Sequence, residues 1–202
     1  MSFDFDIVIA SFKTCAEDKF NLEAYNRGYN ELCSFIFLLG TVFKFIANDI
    51  REKTDLLEEY RKGEKKEHYS HVQKMLQYEV QIYKQDPSFL LKGSGTLIKL
   101  HRALKFTQLF LKGLTAINDT DSLPSMVISL YNSNLANFHP WLIRNAPKLA
   151  MYTLPSKNNL FKKIFKEEFD STLKLIECAK ALEEVFVGIE DLYTQYDLHS
   201  LN

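Results

Sequence analysis

The chain has 202 residues, 46% hydrophobic and 25% charged, which suits one domain with a sizeable buried core. A formal net charge of −1 excludes a general nucleic-acid binder and leaves only local basic patches to consider. Seven glycines and five prolines are few, which disfavours turn-rich β structure and predicts helices.

The acidic start "MSFDFDIVIASFK" lacks the basic opening of a signal peptide and begins a short helix over about 4–17. A long helical region follows from about 21 to 61, bent near Gly40. Within it the longest apolar run, "CSFIFLLGTVFKFIA", is broken by Lys44 and falls short of the ~20 residues that span a bilayer. "RKGEKKEHYS" is a charged turn, followed by a helix near 69–84. "QDPSFLLKGSG" is a loop, and a strong helix spans about 95–116. "NDTDSLPS" carries N-cap residues and a proline suited to a first helical turn. The helix it opens runs to about 153, interrupted by Pro140 and Pro147, because proline removes a backbone donor and crowds the preceding turn. After "TLPSKNN" a short basic amphipathic stretch reaches about 166, and a last helix covers about 168–195. No strand pattern, internal repeat or low-complexity linker competes, so residues 1–202 read as a single all-α domain of about eight helices. The 16 phenylalanines and 10 tyrosines predict a Phe-rich core. Cys15, Cys33 and Cys178 are odd in number and fit no metal-ligand spacing, so they read as reduced core thiols of a soluble cytosolic protein.

Polar residues then stand out on apolar faces. Val42, Ile46, Asp49, Lys53 and Leu56 step by four, three, four and three, which places an acid and a base on an otherwise apolar stripe. The spacing fits an ordinary helix ion pair, but on a core-facing stripe that pair carries a desolvation cost. Tyr131, Leu135, His139, Leu142, Ala146 and Leu149 form a second stripe, which puts the imidazole inward, as a core histidine or a ligand contact. Trp141 points elsewhere, among Asn137, Phe138, Arg144, Asn145 and Lys148. Such a basic flank suits a membrane-interface anchor, and an edge-of-core indole is the alternative. Lys99 and Arg102 share a face, with Lys92 in the loop before them; these read as a solvated basic face or an anion contact. "GSGT" opening a helix offers free backbone N–H groups to an anion but lacks the nucleotide-loop pattern. No catalytic triad, acid/base carboxylate pair or metal cluster appears, so neither an enzyme, a cofactor nor a metal is expected.

Four blocks in order, "FLLGTVFKFIANDIREK", "GTLIKLHRALKFTQLFLKGL", "YNSNLANFHPW" and "YTLPSK", resemble the glycolipid transfer protein superfamily, nearest to its members that carry ceramide-1-phosphate. The resemblance covers almost the whole chain. It implies a two-layer all-α helical sandwich that encloses an apolar lipid pocket and holds the headgroup at the surface. By the same resemblance, Asp49 accepts from the sphingoid amide and hydroxyl, His139 donates to the amide carbonyl, and Lys53 is a headgroup cation. Lys99 falls where phosphate-selective members carry an arginine and sugar-selective members a stacking tryptophan. The second arginine of the phosphate-selective pattern is here Gly95, which weakens the case for phosphate unless Lys92 or Arg102 compensates. Trp141, Arg144 and Lys148 are the expected membrane flank. The expectation is therefore a monomeric carrier of ceramide-1-phosphate between membranes, with no nucleic-acid partner. The alternatives are a lipid-sensing interaction module, a carrier of sphingomyelin or neutral ceramide, or a helical scaffold without lipid.

Overall fold

Local side-chain caps decide where several helices begin. Asp4, Asn21, Ser122 and Ser156 each turn a side-chain oxygen onto a backbone N–H two or three residues ahead. They open α1 (Phe5–Glu17), α2 (Leu22–Leu39), α6 (Leu123–Asn134) and α8 (Lys157–Ile164). The computed structural model describes residues 3–139, 145–165 and 171–201. The remaining helices in it are α3 (Lys44–Lys62), α4 (Val72–Gln85), α5 (Lys92–Ala116), α7 (Asn145–Met151) and α9 (Ser171–Tyr196). Among the described residues that makes nine α-helices, where about eight were expected, and no strand beyond an isolated bridge between Asn21 and His71.

Two of the expected long helices are each two. The 21–61 region breaks at Gly40, whose φ of +134° is open to glycine and strained for any side chain. A 3-10 turn at Thr41–Phe43 follows, and α3 packs back along α2. The helix expected from "NDTDSLPS" to about 153 ends instead at Asn134, and a 3-10 turn occupies Ala136–Phe138. Pro140 explains part of this, because a residue before proline is driven out of helical conformation; His139 is extended, at φ −97° and ψ 137°. The run Asn132-Ser133-Asn134 adds poor helix formers, and Asn134 bonds the Leu130 carbonyl with its side chain. Pro147 lies in the first turn of α7 as described, where its missing donor costs little.

The two longest helices, α5 and α9, pack along each other, and α1 and α3 bring the second layer against them. The result is a two-layer all-α sandwich. Phenylalanines do fill it, with Phe12 fully buried and Phe35 against Phe110 across the layers at 6.0 Å. Tyrosines are equally central: Tyr25, Tyr29, Tyr131 and Tyr193 are among the largest fully buried side chains. Two of their hydroxyls act as ties to α5, Tyr29 donating to the Leu100 carbonyl and Tyr193 to the Ser94 carbonyl at 2.6 Å, so α2 and α9 both grip it. All three cysteines are free and buried, and burial pushes Cys15 and Cys178 up to about 12. Among the described residues no helix is long and apolar enough to cross a membrane.

Candidate functional site

Asp49 and Lys53 meet as the i, i+4 spacing predicts, Lys53 Nζ donating to Asp49 Oδ1 at 2.5 Å. Their setting differs from the expected core-facing stripe. Asp49 is 63% exposed, and the line that α3 buries is Phe43, Ala47, Ile50, Thr54 and Leu57, one residue further on. Both lines step by three and four, and they lie about 100° apart on the helix, so periodicity alone does not choose between them. The acidic head is therefore at the surface, and the desolvation argument does not apply to it. The Lys53 side chain is mostly covered, at 20% exposure. On the same shoulder, one and two turns before Asp49, Phe45 and Val42 stand 47% exposed. An ion pair thus continues directly from exposed apolar side chains.

The helix that carries Lys99 starts three residues earlier than expected. Gly93, Ser94 and Gly95 belong to its first turn, and the free amides there already hold an anion from the chain itself. Glu79 of α4, 1% exposed, accepts Gly93 N–H on Oε1 at 2.8 Å. Its Oε2 takes Ser94 N–H at 2.8 Å and Ser94 Oγ at 2.6 Å, and Tyr69 donates its hydroxyl at 3.1 Å. "GSGT" is consequently not an open anion cradle. A Cβ on Gly93 would stand 2.7 Å from Glu79 Oε1 and 2.8 Å from Met75 Sδ, so glycine is what lets the carboxylate approach. The sequence signal for Glu79 was present but unread: an acid on the buried line of Val72, Met75 and Leu76. Gly95, by contrast, faces open space, with nothing within 4 Å of a Cβ built on it.

Lys99 is exposed on α5, and Lys92 is the exposed first residue of that helix. Neither makes an ion pair among the described residues. Arg102 does not join Lys99 as an open cation. Its Nη2 donates to the carbonyls of His199 at 3.1 Å and Leu201 at 2.9 Å, and its guanidinium carbon lies 3.9 Å from the Phe138 ring centroid. Burial lowers its pKa, as expected of a guanidinium drawn in from water. Arg102 therefore clamps residues 199–201 and the segment 136–139 onto α5.

His139 sits next to Phe138, half-buried, with Nδ1 2.8 Å from the hydroxyl of fully buried Tyr131. The inward stripe drawn through His139 holds at Tyr131 and fails at Leu149, which is 67% exposed, because the helix on which it was counted is not continuous. Tyr131 as the orienting group, and Phe138 as the partner of Arg102, are contacts that spacing did not disclose. Trp141 and Arg144 lie outside the described residues. Lys148 is half-buried on α7, beside Leu149 and close to Tyr152, which are 67% and 68% exposed. The sites on α3, on α5 and at 136–139 occupy neighbouring elements: α3 packs on α5, and Arg102 joins α5 to Phe138. Among the described residues no cluster of histidine, cysteine and carboxylates has the grouping of a metal site.

Comparisons with known proteins agree with this architecture. The ceramide-1-phosphate transfer protein of Mus musculus is 32% identical over 98% of this chain and 96% of that protein. The crystal structure of the mouse protein in its apo form superposes with a TM-score of 0.91, covering 100% of both chains at 32% identity. The human ceramide-1-phosphate transfer protein, in complex with 12:0 ceramide-1-phosphate, superposes with a TM-score of 0.91 at 29% identity and the same full coverage. The family model described as glycolipid transfer protein matches residues 20–166, well over half of the sequence: the chain belongs to the glycolipid transfer protein family.

Proposed function

We propose that this protein is a non-enzymatic carrier that takes up ceramide-1-phosphate from one membrane and releases it to another. The observation that carries the reading is the shoulder of α3, where exposed Val42 and Phe45 run into the pair of exposed Asp49 and half-buried Lys53. That sequence of surfaces, apolar then charged, matches a ligand with hydrocarbon chains behind an amide and a phosphate. Asp49 accepts from the sphingoid amide and hydroxyl, Lys53 and Lys99 face the phosphate, and His139, oriented by Tyr131, contacts the amide carbonyl. Lys92 is the auxiliary cation, while Arg102 acts one step back by fixing Phe138 beside His139. The lipid chains enter the apolar interior between the layers, and affinity comes mainly from burying them. The relatives at 32% identity named as transfer proteins for this lipid, and the human structure containing it, support the same choice. The carrier works as a monomer from the cytosol, touching membranes transiently through Trp141, Arg144 and Lys148; its buried free thiols suit a reducing compartment.

Vesicle-to-vesicle transfer by the Asp49→Val variant tests this. An exposed ion pair contributes no more than about 1 kcal/mol to stability, so the fold should survive while transfer is lost. Unchanged transfer of ceramide-1-phosphate by a folded variant would reject the assignment.

A further inference from the structure

A polar cleft of about 610 Å³ lies between α2 and α3, and none of Asp49, Lys53, Lys99 and His139 lines it. Its volume falls within the ~300–1,000 Å³ of small-molecule sites. Arg61 meets Glu23 at one end (3.0 Å) and Thr54 meets Asn30 midway (3.3 Å), which sets the two helices antiparallel along it. From Arg51 to Arg61 the cleft runs for about 15 Å of α3.

Most of its charge is already engaged. Arg61 holds Glu58 through Nε and Nη2, both at 2.7 Å, and this pairing keeps the Glu58 carboxyl down at about 2. Glu31 accepts the Asp4 N–H at 2.7 Å. Arg27, Arg51 and Asp55 are what remain: among the described residues none of them has an ion-pair partner, although Arg51 also engages the Cys33 side chain. Arg51 is set over the Phe37 ring at 5.0 Å, which fixes one cation at the far end from Arg61. At the cleft floor Asn26 is 4% exposed, and neither its Oδ1 nor its Nδ2 has a hydrogen-bond partner. A buried amide left unpaired on both sides is costly and is satisfied by a group that donates and accepts at once. The phosphate group of a phosphate ester, largely a dianion at neutral pH, only accepts; it suits the two guanidinia and leaves Oδ1 unmet. A hydroxyl does both.

We propose that this cleft binds a phosphorylated polyol, with the phosphate on Arg27 and Arg51 and the hydroxyls on Asn26 and Asp55. The same chemistry comes either as a soluble sugar phosphate or as the inositol phosphate headgroup of a membrane lipid. Isothermal titration of the full chain with glucose 6-phosphate, against glucose and inorganic phosphate separately, reads the first source. The expected result is saturable binding of glucose 6-phosphate, weaker binding of either half, and a loss of about tenfold or more in Arg27→Ala and in Arg51→Ala. Both arginines are exposed, so these variants should keep the wild-type circular dichroism and melting temperature. Asn26→Leu should weaken glucose 6-phosphate and leave inorganic phosphate unchanged; if that variant does not fold, the arginine variants decide. Co-sedimentation with phosphatidylcholine vesicles, with and without phosphatidylinositol, reads the second source. Retention that requires both phosphatidylinositol and Arg27, without binding of glucose 6-phosphate, assigns the site to a lipid headgroup. Binding of neither probe overturns the proposal. So does binding that both arginine variants retain, or inorganic phosphate binding as tightly as glucose 6-phosphate.

Discussion

Gly95→Arg restores a guanidinium where the phosphate-selective relatives are expected to carry one, and the structure allows its effect to be estimated. Gly95 sits in the first turn of α5, four residues before Lys99, with its N–H bonded to the Leu91 carbonyl at 2.8 Å. A Cβ there meets nothing within 4 Å, so the side chain enters without displacing any neighbour. Replacing a helical glycine gains about 0.8 kcal/mol in propensity. A cation near a helix N-terminus costs ~0.3–1 kcal/mol, and the Glu79 carboxylate on the Gly93 and Ser94 amides keeps that cost at the lower end. The balance is a gain of about 0.5 kcal/mol, so the melting temperature should rise by only about 1–2 °C. A charge-assisted bond from the new guanidinium to a phosphate contributes about 1.5–3 kcal/mol. At 1.4 kcal/mol per factor of ten this is about tenfold to a hundredfold in affinity, nearest tenfold at a half-buried position such as this one. Displacement of a fluorescent lipid analogue by ceramide-1-phosphate and by ceramide measures the gain for each. A gain shared equally by both lipids, or none at all in the folded variant, would show that the phosphate is not read at the start of α5.

Lys53→Ala and Lys99→Ala should each weaken ceramide-1-phosphate far more than ceramide in the same displacement assay; equal losses would point to sphingomyelin or neutral ceramide as the cargo. Glu79→Ala leaves the Gly93 and Ser94 amides and the Ser94 and Tyr69 hydroxyls without their acceptor. It should therefore cost about 3–5 kcal/mol. At ~2–4 °C per kcal/mol for a chain of this length, thermal unfolding should fall by about 6–20 °C, and a fall of less than about 3 °C contradicts the capping role. Trp141 is the only tryptophan, so its fluorescence is unambiguous. Vesicles free of sphingolipid should shift its emission to the blue, and emission already blue and unmoved by vesicles excludes an interfacial role.

Helical class, the positions of most breaks and the Asp49–Lys53 contact were legible in the sequence, because each depends on residues within about four positions of one another. Caps at Asp4, Asn21, Ser122 and Ser156, and glycine at position 40, act over that same range. The ordered blocks from Phe37 to Lys157 also pointed to the family. Tertiary structure alone decided which of two equivalent lines on α3 is buried, because lines 100° apart share one periodicity and only the packing of α2 and α5 selects between them. It also decided the partners of the charged groups. Glu79 reaches across 14 residues to Gly93, and Arg102 across 99 to Leu201. Arg102 stood as a possible auxiliary phosphate contact whose reach spacing did not show, and folding brings its guanidinium onto the carbonyls of His199 and Leu201. A charge is satisfied by whatever group folding brings within about 3 Å, and separation along the chain carries no information about that distance.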